Sequence, residues 1–273
     1  MHNSNTAHSA PLHFYKLQAL GNDYILFDGT AGDPLPDRAL YAPLCRRWTA
    51  VGADGILLLE KSSSADAALR IINADGSEAE MCANGLRCAA WYLRLVRRMG
   101  PQLTLHTAAG LRNAQVLHSR GGCAEVCAAV GQITALGDTA LSFYACSTGN
   151  PHACFQLQDI RLADEAAARA AAEQSGLFPN GVNIGFWQPA ADNTVSLRVF
   201  ERGVGETAAC GTGAAAAAAA AVAAGICCAG APITVRQAGG ALLVTLDSEQ
   251  NATVTGEARF LFAGSIPFAE AVL

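Results

Sequence analysis

The chain has 273 residues, 51% of them hydrophobic and only 15% charged, with a formal net charge of −5. That length favours two domains around a large buried core, and the composition excludes a disordered chain. The 18 basic residues are scattered without a run of five, so no nucleic-acid partner is expected.

The first ten residues, MHNSNTAHSA, lack the basic start and apolar stretch of a signal peptide and are expected to form a floppy leader. Short strands are then expected over 13–17, 24–28, 55–59 and 69–72, from alternating or β-branched apolar residues. A helix is expected over 85–98, followed by strands over 103–107 and 125–130. The second half offers strands over 153–157, 182–187 and 196–200, a helix over 213–225, and strands over 233–236, 241–246 and 252–256. The alanine-rich run from Ala214 is too weakly apolar for a membrane span, which needs about 20 strongly apolar residues, and is expected to be a buried helix. No membrane partner is expected.

The two halves match without a gap. Leu69-Arg-Ile-Ile-Asn73 and Leu197-Arg-Val-Phe-Glu201 stand 128 residues apart, as do Cys82 and Cys210, Glu78 and Glu206, Gly85 and Gly213, and Gly21-Asn22 and Gly149-Asn150. Such a repeat predicts a pseudo-two-fold axis with matched residues facing each other across one cleft. The expected fold is therefore α+β, with two pseudo-symmetric domains, each a curved, mainly antiparallel sheet or barrel wrapped around a central helix. The expected division is 1–130 with 264–273 for the half carrying Cys82, and 131–263 for the half carrying Cys210.

Ten cysteines without a C-x-x-C pair or a secretion signal suggest a reducing, cytoplasmic setting and no metal site. Cys45, Cys88, Cys123, Cys127, Cys146, Cys154, Cys227 and Cys228 are expected to pack as small hydrophobes. Cys82 and Cys210 differ. Residues 73–88, NADGSEAEMCANGLRC, and 201–214, ERGVGETAACGTGA, each run strand, loop, cysteine, helix. A helix N-terminus offers free N–H groups to a carboxylate and is expected to lower a thiol's pKa from its usual value of about 8.5. A thiolate and a thiol on opposite faces of an α-carbon can remove and return its proton, while converging N–H donors stabilise the carboxylate as charge builds. Such a pair needs no cofactor, and none is expected.

These two motifs resemble the signatures of the diaminopimelate epimerase family. ALGNDY at 19–24, GADG at 52–55, GNPH at 149–152 and GVNI at 181–184 resemble further family blocks, in order, over the chain from about His13 onward. The resemblance implies a pyridoxal-free epimerase of diaminopimelate, usually a homodimer, with Cys82 and Cys210 as the acid–base pair. It implies substrate contacts at Asn22, Gly55, Asn73, Asn150, Asn183, Glu201 and Arg202. It implies an α-carboxylate held by backbone N–H groups of Ala83, Asn84, Gly211 and Thr212. Arg202 suits a distal carboxylate and Glu201 an ammonium, and His152 is a supporting residue that orients a thiol or packs as a satisfied histidine. Two positions depart from the family pattern. Ala83 replaces a usual Gly and would be strained if that position needs a positive φ. Gly55 stands where some members carry a Gln that touches the substrate amine.

The nearest alternative is the same chemistry on another amino acid, such as histidine; proline is a weaker one. A dinucleotide-binding module, suggested by Gly211-Thr-Gly213-Ala-Ala-Ala216, lacks the preceding strand and the acidic residue that such a site needs. A catalytically dead binding module would be marked by loss of a cysteine, and both are present. Facing thiols also allow a Cys82–Cys210 disulfide on oxidation.

Overall fold

The structure, a computed structural model, describes residues 11–137 and 141–267. The expected leader lies outside the described residues. The first half runs β1 (Leu12–Ala19), β2 (Asn22–Asp28), α1 (Tyr41–Cys45), β3 (Gly55–Glu60), β4 (Ala67–Asn73), β5 (Glu78–Ala79), α2 (Ala83–Leu95), β6 (Gln102–Thr107), β7 (Gly110–Arg120) and β8 (Cys123–Gln132). The second runs β9 (Thr134–Leu136), β10 (Tyr144–Ser147), β11 (Pro151–Gln156), α3 (Glu165–Gln174), β12 (Asn183–Ala191), β13 (Thr194–Glu201), β14 (Gly205–Thr207), α4 (Gly211–Ala223), β15 (Ile233–Gln237), β16 (Gly240–Leu246) and β17 (Asn251–Ile266).

Strands β1, β2, β3, β4, β6, β7, β8 and β17 pair in that order, and β17 pairs back with β1, which closes a barrel. The second half orders its strands β9, β10, β11, β12, β13, β15, β16, β17. Pairing is mainly antiparallel; β2–β3, β4–β6, β11–β12 and β13–β15 are parallel. The expected α+β fold of two similar halves is what forms.

Each curved sheet surrounds one helix. In α2 every residue from Ala83 to Leu93 is buried, and in α4 every residue from Gly211 to Ala221. A helix buried on all sides must be central, since a surface helix keeps one polar face. The alanines of α4 make this possible, because methyl side chains let strands approach on every side at native packing density. Gly85 and Gly213 take the close approach to an extreme: a Cβ at Gly85 would sit 2.9 Å from Leu57, and one at Gly213 2.9 Å from Val199.

The repeat survives in detail. Both central helices have 13 residues and start 128 apart. Arg70 pairs with Glu78 at 2.9 Å, and at the same offset Arg198 pairs with Glu206 at 2.7 Å. Of the cysteines expected to pack, Cys45, Cys88, Cys146, Cys154 and Cys227 are buried. Cys123 and Cys127 are half-buried, and Cys228, beyond the end of α4, is exposed. All ten thiols are free. No helix among the described residues is long and apolar enough to cross a membrane.

Candidate active site

The two cysteine motifs meet at the N-termini of the central helices. Cys82 is the N-cap of α2 and Cys210 the N-cap of α4, both in extended conformation. A Cβ at Gly211 would lie 2.5 Å from the Cβ of Ala83, so the first turns of the helices touch. Asn84 Nδ2 spans the junction and donates to the carbonyl of Ala209 at 3.1 Å. Ala83 keeps a negative φ, so alanine carries no backbone strain there. What Ala83 does set is contact: one methyl fits between the helix ends, and Gly211 supplies the space for it.

Each cysteine faces backbone N–H groups of its own helix; among the described residues one of them hydrogen-bonds Cys210 and none hydrogen-bonds Cys82. Gly213 N donates to Cys210 Sγ at 3.3 Å, and the amides of Gly85 and Asn84 point at Cys82. The expected fall in thiol pKa does not occur. Burial pushes Cys82 up, and only part is recovered by the Tyr24 hydroxyl and the helix amides. Burial pushes Cys210 up further, reinforced by the negative charge of Glu201 beside it. Taking charge out of water costs more than one helix end returns.

Two asparagines flank the pair from matched turns. Gly21 and Gly149 take left-handed φ values of +84° and +92°, which lets each hairpin reverse directly before Asn22 and Asn150. Asn22 Nδ2 donates to Asp54 at 3.1 Å, and Asn150 Nδ2 donates to Thr212 Oγ1 at 3.3 Å. Thr212 Oγ1 lies 3.4 Å from Cys210 Sγ. His152 is buried, neutral and held down to about 3 by burial; its Nε2 lies 3.1 Å from Asn150 Oδ1 and its Nδ1 has no partner among the described residues. It acts on Asn150, and no hydrogen bond joins it to a thiol.

The remaining candidates lead outward. Glu201 accepts from Thr207 at 2.7 Å, and burial raises its carboxyl. Asn183 is buried and accepts the backbone N–H of Arg202 at 2.9 Å, fixing the turn after β13. Arg202 is exposed; its guanidinium donates to Asn180 O at 2.6 Å while its stem packs on Gly181. Asn73 is exposed and donates to Ser77 at 3.0 Å. Gly55 is buried, and a Cβ there would meet the carbonyl of Ile72 at 2.5 Å, so no side chain can reach a substrate from it. Of these four candidates besides Glu201, Asn183 and Gly55 are buried, and Asn73 and Arg202 are exposed. No cluster of three or more His, Cys, Asp or Glu suited to a metal ion occurs among the described residues.

The family model described as diaminopimelate epimerase matches residues 14–130 and 144–261. The chain belongs to the diaminopimelate epimerase family. It is 36% identical to the diaminopimelate epimerase of Desulforapulum autotrophicum, covering 93% of this chain and 99% of that one. It is also 36% identical to that of Xanthomonas campestris pv. campestris, with coverage of 96% and 98%. Among solved structures, a hydroxyproline epimerase from Agrobacterium vitis superposes with a TM-score of 0.65 at 19% identity, covering 94% of this chain and 93% of that one. A phenazine biosynthesis protein of the PhzF family from Bacillus anthracis gives 0.70 at 16%, covering 94% and 99%. At those identities the likeness is one of fold.

In this diaminopimelate epimerase family member, three residues not named as candidates also reach the site, Tyr24 and Arg87 from within the motifs and Gln237 from outside them. Tyr24 Oη lies 3.0 Å from Cys82 Sγ. Arg87, fully buried, donates to Asn84 Oδ1 at 2.7 Å and to the carbonyl of Ala83 at 3.3 Å. Gln237 accepts the backbone N–H of Cys210 at 2.9 Å. Tyr24 stands 128 residues before His152, so the repeat pointed to it; Gln237 arrives from a strand outside the motifs, with no local signal.

Proposed function

We propose that the protein interconverts L,L- and meso-diaminopimelate by a two-base mechanism with Cys82 and Cys210 as the pair. The observation that carries this reading is the contact of two cysteine-capped helix N-termini at Ala83 and Gly211. A carboxylate set against both helix ends receives N–H groups of Ala83, Asn84, Gly211 and Thr212. The thiolate of one cysteine takes the α-proton, and charge spreads onto the carboxylate that those N–H groups hold. The thiol of the other cysteine returns a proton on the opposite face, and the two protonation states are exchanged. The pair titrates as a coupled unit.

Glu201 accepts from the α-ammonium, with Asn22 and Asn150 beside it. Arg202, Asn73 and Asn183 meet the distal end, where a second carboxylate suits a bidentate guanidinium. The same proposal includes a cofactor-independent reaction, a homodimer, a cytoplasmic setting that keeps ten thiols reduced, and a place in lysine and cell-wall precursor synthesis.

The test is incubation of the reduced protein with L,L-diaminopimelate in D2O, following the α-proton by NMR, with histidine and proline in parallel. Loss of the α-proton signal with formation of the meso isomer is expected, abolished in both Cys82→Ala and Cys210→Ala. Exchange of histidine or proline alone would keep the mechanism and overturn the substrate.

A further inference from the structure

We propose that the Tyr24 hydroxyl is a catalytic group of this site, a switch that donates to the Cys82 thiolate and accepts from the Cys82 thiol, and that it makes Cys82 the member of the pair that ionises first. This rests on the two-thiol reading above.

The geometry is specific. Tyr24 Oη sits 3.0 Å from Cys82 Sγ and also hydrogen-bonds Asn22 Oδ1. A phenol has one proton and free acceptor capacity. When Cys82 is a thiol, its S–H points at Tyr24 and the phenol proton turns to Asn22 Oδ1. When Cys82 is a thiolate, the phenol proton turns to sulfur, and Asn22 Oδ1 keeps Asn84 Nδ2 at 3.4 Å. Two-base turnover moves Cys82 between these states, which a fixed donor would serve only half of the time. Burial holds the phenol far above its ordinary range, so Tyr24 stays a donor throughout.

The surroundings hold this switch in place. Tyr24 is 3% exposed and pairs with Gly55 across β2 and β3; a Cβ at Gly55 would lie 3.5 Å from the ring. Asn22 is oriented by the hydrogen bond its side-chain amide donates to Asp54. Behind it Asn84 receives Arg87, whose guanidinium is fully buried and forms no ion pair among the described residues. A buried cation without an anion favours negative charge on a neighbouring thiol. The groups facing Cys82 are Tyr24 from β2, Arg87 and Cys88 from α2, Glu201 from β13 and Cys210 from the opposite helix end.

Cys210 lacks this arrangement. The position matching Tyr24 is His152, which binds Asn150 instead of sulfur, and the position matching Arg87 is Ala215. Its hydroxyl neighbour is Thr212, more distant at 3.4 Å, and the negative charge of Glu201 acts against its thiolate. The pseudo-symmetry of the backbone is therefore broken electrostatically in favour of thiolate at Cys82.

The experiment is the pH dependence of iodoacetamide alkylation at each cysteine, read by mass spectrometry on the full-length, substrate-free protein, wild type against Tyr24→Phe. The expected result is an upward move of about one pH unit at Cys82, a tenfold slowing at fixed neutral pH, with Cys210 moving less or in the opposite sense, as coupling to Cys82 requires. The acid limb of the kcat/KM profile for α-proton exchange should move by the same amount. An unmoved Cys82 profile, or equal movement at both cysteines, overturns the proposal. Arg87→Lys is expected to hold the Cys82 profile and Arg87→Met to raise it. A Cys82 shift in a protein that exchanges no diaminopimelate α-proton supports the tyrosine assignment and overturns the substrate reading instead.

Discussion

At each of the two helix-capping thiols, burial and the helix end act in opposite directions, and burial dominates. Both limbs of the pH–rate profile are therefore displaced upward: the acid limb, where the pair first ionises, is expected above the ordinary thiol value of about 8.5. A rate already at its plateau at pH 7 would contradict this. His152 supplies a second pH effect, on stability. Burial holds its folded-state value near 3, whereas an unfolded histidine takes a proton below about 6.5. The unfolded state thus gains protons first, and stability is expected to fall by about 1.4 kcal/mol per pH unit on acidification through that window. Urea midpoints measured from pH 7 to 4 test it, and His152→Gln should flatten the slope. Of the residues at the site, the cysteines and asparagines are legible because glycine-rich loops and the repeat mark them. Arg87 is not, because a charged residue just over one turn into a helix ordinarily reaches solvent; only the surrounding barrel shows that it cannot.

Among the elements, the two helix ends matter most. A methyl at position 211 would overlap that of Ala83, so Gly211→Ala should push the ends apart. A loss of about 1–3 kcal/mol is expected, as for other overpacked contacts, with at least a tenfold fall in kcat. The exchange Ala83→Gly with Gly211→Ala moves the single methyl to the other side and should restore most of both. Silence of the single variant in urea melts and in α-proton exchange would refute the contact. The central helices and most strands follow from periodicity, within a few residues. The expected set omits α3, although Asp164 caps it by accepting from Ala167 N at 3.0 Å. It also omits β7, whose residues 117–120 are exposed in the barrel wall and so carry no apolar alternation.

For the whole molecule, β8 and β17 are the hinge of the architecture. They pair antiparallel from Cys123–Arg259 to Gln132–Asn251. Beyond that pairing β8 runs on toward β9, which joins the second half through β10, while β17 leaves β16 and ends on β1. Each half thus lends a strand to the other. We propose the division of 1–130 with 264–273 from 131–263 as the line along which this exchange occurs. Shared strands predict one cooperative unfolding transition. Circular dichroism and the fluorescence of buried Trp91 and Trp187, one in each half, should trace the same urea curve; separated curves would show halves that unfold independently.

From the sequence by itself came the duplication, the fold class, the two cysteines and the family, because these are carried by local spacing and composition that survive in any environment. The tertiary structure decided which helix ends touch, that both thiols are raised instead of lowered, and that Tyr24 and Arg87 stand behind Cys82 alone. Those outcomes depend on burial and on residues far apart in the chain, and desolvation has no signature in local sequence.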